Sequence, residues 1–308
     1  MTDCLLFHDY FKQWIELYKL NAVREVTFKK YRVTHSQLVA LAPQLKINEI
    51  TRMNYQQLLN KYAVNHEKRT TSDFHHQLKS ALLDALDEGL IERDPTRKAV
   101  IKGTLQRKHK AKFLNQNELT KLLRGLELTE DISWDWFILL VAKTGLRYGE
   151  ALGLTSKDFD FRKSLLTINK TWNYKSANQG FAQTKNQSSV RKINLDKETA
   201  RQFRLLIKDL PKTNPIFVPN KTKIFNEAVN KRLEILCAQA NIPIISLHGL
   251  RHTHASLLLY AGVSTASVAK RLGHSNIGVT QKTYLHIIRE LEIQDSKKIM
   301  KYLGNLCL

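Results

Sequence analysis

At 308 residues the chain is long for one domain and comfortable for two, each able to bury its own core. Its 43% hydrophobic and 25% charged residues, with few Gly or Pro, exclude a disordered or fibrous chain. The imbalance lies in sign: 49 Lys and Arg against 28 Asp and Glu leave a net charge of +21, which favours a polyanionic partner, nucleic acid ahead of an anionic membrane surface.

From residue 7 to residue 103 the pattern is helical, without a convincing strand. Phe11, Trp14, Ile15 and Tyr18 form an i, i+3, i+4, i+7 apolar face, and similar faces recur over residues 31–41, 55–62 and 74–90. Thr27 and Asn54 are candidate caps, and Pro43 and Pro95 mark breaks. The expectation is a small helical bundle over residues 1–103. On its surface Lys29, Lys30, Arg32, Lys68 and Arg69, set among Thr, Ser, Asn and Gln, suit a sugar-phosphate backbone. Any one of them also suits an ordinary solvated helix face.

Residues 97–112 carry Arg97, Lys98, Lys102, Arg107, Lys108, Lys110 and Lys112 with no acidic residue. Residues 104–112 read as a basic tether between domains, and Lys102, Arg107, Lys108 and Lys110 are its candidate phosphate contacts. The second domain is expected over residues 113–308. Asn115, with Glu118 three residues on, signals a helix start running to Leu126. Residues 132–143 form a strongly apolar helix that must be buried, and residues 146–152 a short helix after Gly145. The period then changes. Residues 165–172, 181–185 and 190–195 read as a small antiparallel sheet, with Lys185 at the end of its second strand. Helices return over residues 197–210, 224–240, 246–260, 265–272 and 290–303.

No run approaches the roughly 18 uncharged apolar residues of a spanning helix, and no signal peptide is read, so a cytoplasmic protein without a membrane partner is expected. Cys4, Cys237 and Cys307 are far apart and lack metal-ligand spacing, so free thiols are expected, with Cys237 in a helical core.

The helix expected from Ser246 is the centre of the chemistry. His248, Arg251 and His252 fall on one face of it, offering a guanidinium fork beside imidazoles, which suits a phosphate. His248, His252 and His254 match no zinc signature, so no metal is expected; His252 and His254 are read as buried, hydrogen-bonded side chains. Arg147, Lys185, His248, Arg251, His274 and Tyr284 together make a set of cations with one phenol. Such cations can neutralise the oxygens of a transferring phosphoryl group, and a tyrosyl oxygen can be its covalent nucleophile. With a reference pKa of about 10, the phenol is ionised to about one part in a thousand at neutral pH, so the cations must also stabilise developing phenolate.

The segments T-G-L-R-Y-G-E (residues 144–150), T-K-N-Q-S-S-V-R (184–191), H-G-L-R-H-T-H-A-S (248–256), L-G-H (272–274) and T-Q-K-T-Y-L-H (280–286), in this order, resemble the tyrosine recombinase family, most of all phage and conjugative-transposon integrases. Singly each is weak; the ordered set is specific. The resemblance implies a mainly α protein with a small antiparallel β-sheet (α+β), built from an N-terminal helical core-type DNA-binding domain and a catalytic domain. It implies that Tyr284 attacks the scissile phosphate, leaving a 3′-phosphotyrosyl link and a free 5′-hydroxyl. Arg147 and Arg251 would hold the non-bridging oxygens, Lys185 would be general acid, His248 would assist proton transfer, and His274 would hydrogen-bond the phosphate. Glu150 would support the site by fixing Arg147 or His248.

No cofactor, metal or ATP is implied. The implied partners are double-stranded DNA attachment sites, further copies of the chain in a homo-tetramer on two duplexes, and an accessory excision or host DNA-bending protein. Residues 287–308, with Ile288, Leu291, Ile299 and Leu303, would dock on a neighbouring protomer. The integrases resembled usually carry an additional arm-binding domain before the core-binding helices, so a simpler or a truncated recombinase is expected here. Two rivals stand beside this reading. Residues 261–274 have the texture of a helix-turn-helix, as a non-catalytic repressor would. A type IB topoisomerase uses similar chemistry on one duplex.

Overall fold

In the computed structural model, which describes residues 5–104, 113–175, 179–184, 186–218 and 224–284 together with 300 and 303, the chain divides into two units, Met1–His109 and Lys110–Leu308. The division falls within the basic stretch. Of the expectations above, those on Cys4, on the tether beyond Thr104 with Arg107, Lys108, Lys110 and Lys112, on Lys185 and Cys307, and on residues 285–308 apart from 300 and 303, lie outside the described residues.

Among the described residues the first unit is a bundle of four α-helices: α1 (Phe7–Tyr18), α2 (Glu25–Leu41), α3 (Arg52–Ala63) and α4 (Lys68–Asp87). The aromatic face of α1 is set one turn earlier than the sequence suggests. Phe7, Tyr10, Phe11, Trp14 and Ile15 are buried, while Tyr18 is 45% exposed. Their partners are Leu38 of α2, Tyr55, Leu58 and Leu59 of α3, and Phe74, Leu78 and Leu82 of α4. The indole N–H of Trp14 donates to Asp84 at 2.6 Å, so the polar edge of a buried ring is satisfied. The expected caps shift. Thr27 lies inside α2, and the cap of α3 is Thr51, which exchanges hydrogen bonds with Asn54 in a capping box.

The second unit is organised on α6 (Trp134–Thr144), preceded by α5 (Gln116–Arg124). Asn115 and Glu118 form the capping box expected from sequence, at 2.9 Å and 2.7 Å, although the helix stops two residues short of Leu126 because Gly125 follows Arg124. Every α6 residue from Trp136 to Ala142 is buried. A helix apolar on all sides must be covered on all sides. Here the cover is α9 (Asn226–Gln239), α10 (Leu247–Tyr260) and the sheet residues Leu166, Ile168 and Ile193. Cys237 of α9 is fully buried in this core. Arg232 of α9 grips Asp135 with two hydrogen bonds of 2.7 Å, pinning the start of α6.

Between α7 (Tyr148–Leu152) and α8 (Lys197–Leu206) lie β1 (Phe159–Asp160), β2 (Leu165–Ile168), β3 (Lys170–Trp172), β4 (Phe181–Gln183) and β5 (Arg191–Asn194). They make two antiparallel sheets where the sequence suggests one, ordered β1-β2-β5 and β3-β4. Asn169 divides the run at residues 165–172. On one side of it Leu166 and Ile168 face the core; on the other β3 leaves to pair with β4. After α9 come α10, α11 (Thr265–Leu272) and α12 (Ile277–Thr283). Ser246 caps α10, its hydroxyl accepting from the Gly249 N–H at 3.2 Å. Among the described helices none is long and apolar enough to cross a membrane.

Replacing the α5 cap, Asn115→Ala, is expected to lower the unfolding free energy by about 1 kcal/mol in urea denaturation, with faster amide exchange confined to the first turn of α5.

Candidate active site

Two helix ends and the middle of a third helix make the site. α6 ends in Gly145 with a left-handed φ of 68°. A Cβ there would stand 2.7 Å from the His254 ring and 2.8 Å from the Leu272 side chain, so a glycine alone carries the turn. The turn delivers Arg147 to the start of α7. α11 ends in Gly273, also at φ 68°, where a Cβ would meet the Arg191 guanidinium at 2.8 Å.

Between these two ends α10 places Arg251, only 3% exposed. Its Nη1 donates to the Gly145 carbonyl at 2.5 Å and its Nη2 to the Leu272 carbonyl at 2.8 Å. Arg147 reaches the same Leu272 carbonyl at 3.4 Å and the Gly273 carbonyl at 3.0 Å. Both guanidiniums therefore sit at the carbonyl end of α11, where the helix dipole favours positive charge. Even so, burial and the neighbouring Arg147 charge push the Arg251 pKa down to about 9. An anion added beside them would relieve that cost.

One carboxylate steadies the pair. Glu150, 4% exposed, accepts from Arg147 Nη1 at 2.7 Å and from the Arg147 backbone N–H at 3.0 Å. It also accepts from Arg191 Nη2 at 3.0 Å. Burial by itself would raise its pKa, but Arg191 and Arg147 hold the carboxyl below the usual range. Arg191, which sequence reasoning quoted only inside a motif, is buried and also donates to the carbonyls of Ser189 and Arg271 at 2.9 Å and 2.6 Å. It ties β5 to the end of α11.

His274 follows Gly273. A guanidinium can only donate, so the His274 Nε2 accepts from Arg251 at 3.1 Å, and its Nδ1–H donates to the Thr280 hydroxyl at 2.6 Å. Burial first, then Arg251 and Arg147, push its pKa down to about 4, and the ring is neutral. Tyr284, just past α12, is 3% exposed and packed with Ala255, Leu259, Val268 and Leu272. Burial pushes its pKa up to about 12 against the opposing pull of Arg251.

The two histidines read alike in the sequence part company. His254 is the buried, hydrogen-bonded residue expected: its Nδ1–H donates to the Ala142 carbonyl at 2.9 Å and its Nε2 accepts from Arg271 at 3.0 Å. His252 is half-buried, and its Nδ1 lies 2.8 Å from the Tyr284 hydroxyl. Its ring stands edge-on to that of His248, with centroids 4.6 Å apart. The signal was available in the shared helix face with His248 and Arg251. Arg147, Glu150, Arg251 and His274 are thus linked through hydrogen bonds and the shared Leu272 carbonyl, with Arg191 and Thr280 added, while His248 and Tyr284 both meet His252.

In the first unit, Lys29, Lys30, Arg32, Lys68, Arg69 and Lys102 are all exposed. Lys29 pairs with Glu25 at 2.7 Å on α2. Thr104 bridges to Glu67, which sets Lys102 beside the start of α4, where Lys68 and Arg69 lie. Among the described residues no group of three or more His, Cys, Asp or Glu side chains is placed to hold a metal ion.

The model of the phage integrase family matches residues 112–290. The integrase of Staphylococcus phage L54a is 26% identical over 96% of this chain and 93% of its own length. A XerC-like tyrosine recombinase of Caldanaerobacter subterraneus subsp. tengcongensis is 27% identical over 86% of this chain and 75% of its own. Among solved structures, the Tn1549 transposon integrase in complex with transposon right end DNA superposes with a TM-score of 0.76, covering 94% of this chain and 99% of that one at 19% identity. A lambda integrase dimer bound to a core site gives 0.64, covering 89% and 76% at 14% identity. With more than half of its length matched, the chain belongs to the phage integrase family and is a tyrosine-type site-specific recombinase.

Gly145→Ala is expected to cost about 2–3 kcal/mol in urea denaturation, since it joins a strained φ to a clash with His254. Acid should act through His254 and His274. Each has a folded pKa near 4, below the ordinary 6.5, so the unfolded chain binds the proton first. Their contribution is present above about pH 6.5 and is lost as pH falls towards 4. Unfolding free energy measured across that window should decline, and His254→Gln should flatten the decline.

Proposed function

We propose that the chain cleaves and rejoins DNA strands through a 3′-phosphotyrosyl intermediate, integrating or excising a mobile element. The observation that carries this reading is the convergence of Arg147 and Arg251 on the Leu272 carbonyl, next to His274 and within the electrostatic reach of Tyr284. Two guanidiniums balanced by carbonyls, with the Glu150 carboxylate shared between Arg147 and Arg191, suit a phosphodiester and its non-bridging oxygens. As Tyr284 attacks, charge gathers on those oxygens and on the 5′-oxygen. Arg147 and Arg251 hold the former, and Lys185 protonates the latter as it leaves. His248 assists proton transfer.

A phosphate lying against both arginines offsets their charge and raises the pKa of His274. Its imidazolium can then turn an N–H to a phosphate oxygen. Glu150 keeps Arg147 in place through two hydrogen bonds. The phosphotyrosyl bond retains the energy of the phosphodiester, so rejoining needs neither ATP nor a metal ion. Lambda integrase has been solved as a tetramer bound to a Holliday junction. The same assembly on two duplexes is the form proposed for this chain in the cytoplasm, with Lys29, Lys30, Arg32, Lys68, Arg69, Lys102, Arg107, Lys108 and Lys110 on the DNA backbone. An accessory excision or host bending protein would set direction.

The helix-turn-helix texture of residues 261–274 has another use in this fold. The turn at Gly262 packs α11 back onto α10, and the end of α11 is committed to the two arginines.

The test is a duplex spanning the junction of the circularised element that encodes the chain, nicked so that the short 5′-hydroxyl product diffuses away. In EDTA the wild-type protein should form a covalent adduct on a denaturing gel, and Tyr284→Phe none. Arg251→Ala should slow adduct formation at least about 100-fold with DNA binding retained. Binding without any adduct points to a regulator, and relaxation of supercoils without strand exchange to a topoisomerase.

A further inference from the structure

With Tyr284 as nucleophile, its proton needs a destination. Burial pushes this phenol up to about 12, so the oxygen attacks only as its O–H bond breaks. Among the described residues one side chain hydrogen-bonds to that hydroxyl: His252, with Nδ1 at 2.8 Å. The two rings meet edge to face with centroids 5.7 Å apart, and the separation of nitrogen and oxygen is that of direct proton transfer. His248, one turn earlier on α10, touches the ring of His252. Arg251 precedes His252 in the same turn, so the residue that binds phosphate and the residue that meets the nucleophile are placed by one helix.

We propose that His252 is the catalytic base of strand cleavage and, on rejoining, the acid that returns the proton to Tyr284. This role rests on the phosphotyrosyl route proposed above. The neutral ring carries its proton on Nε2, leaving Nδ1 to accept. The Tyr284 oxygen bonds to phosphorus, its O–H bond breaks with the electron pair staying on oxygen, and the proton passes to Nδ1, making an imidazolium. The bond from phosphorus to the 5′-oxygen breaks with its pair on that oxygen, which takes a proton from the Lys185 ammonium. In rejoining, the 5′-hydroxyl attacks and returns its proton to Lys185, while the departing tyrosyl oxygen recovers its proton from His252.

The experiment compares full-length wild type, His252→Ala and His252→Asn on the same nicked duplex in EDTA, with adduct rates measured between about pH 5 and 9. His252→Ala should bind DNA as wild type does, form adduct about 10²–10⁴-fold more slowly, lose the acidic limb of the pH profile, and regain part of its rate in added imidazole. His252→Asn, whose amide oxygen can take the hydroxyl hydrogen bond but no proton, should be equally slow. Asn is close in size to His, so it also carries the comparison if the Ala variant unfolds or loses binding. A junction with a 5′-bridging sulfur, whose leaving group needs no acid, should rescue Lys185→Ala and leave His252→Ala slow.

A His252→Asn rate equal to wild type would reduce the residue to a hydrogen-bond partner. An unslowed His252→Ala, or its rescue by the sulfur junction, would overturn the base role while the tyrosyl route stands. Absence of any adduct with the wild-type protein would overturn the tyrosyl route and this role with it.

Discussion

Everything in the site depends on how Arg251 is buried. A guanidinium taken out of water costs several kcal/mol unless its N–H groups are met. Here they are met by the carbonyls of Gly145 and Leu272 and by a neutral imidazole. No carboxylate hydrogen-bonds to Arg251 among the described residues, so its charge is solvated mainly by dipoles, with Glu150 acting on it only at a distance. That distinguishes it from Arg232, whose charge is spent on Asp135 in a structural clamp. One arginine is neutralised within the fold, and the other keeps a charge that a phosphate, as proposed above, would meet.

The same requirement explains the glycines at both helix ends. Carbonyls that must point at a side chain cannot also continue a helix, and a left-handed residue turns the chain while leaving them free. At Gly145 the space a Cβ would take is filled by His254, and at Gly273 by Arg191. Those two residues in turn brace the opposite walls, His254 against Ala142 and Arg271, Arg191 against Glu150. Glu150 then fixes Arg147. The chemistry-bearing side chains are thus backed by a layer of groups whose own hydrogen bonds are complete.

Much of this was legible in the sequence, for identifiable reasons. The apolar run at residues 132–143, seen as a helix over Trp134–Thr144, the capping box at Asn115 and the Ser246 cap are local signals, and local signals survive into the fold. Arg147, Arg251, His274 and Tyr284 could be singled out in the sequence because each lies in a short motif of ordered spacing. Arg191 and Thr280 stood inside quoted motifs without a role, since their value comes from partners brought by folding. Arg191 meets a carboxylate 41 positions away. His252 and His254 lie two positions apart on α10 and so on different faces; the face that His252 shares with His248 and Arg251 was visible in the spacing, whereas the Tyr284 hydroxyl it meets is brought by folding. The split of one expected sheet into two followed from a single residue, Asn169, and β1 is too short to carry a period.

The contacts that build the site span long stretches of chain: Arg251 reaches a carbonyl 106 positions earlier, and Arg147 one 126 positions later. Closing such loops is slow and entropically costly, so these contacts need the distant segments of the second unit to have come together. A partly made or partly unfolded chain therefore carries Tyr284 without the arginines that stand near it in the folded site. On the chemistry proposed above, the capacity to cut DNA arrives only once these distant contacts have closed, which confines strand breakage to folded protein.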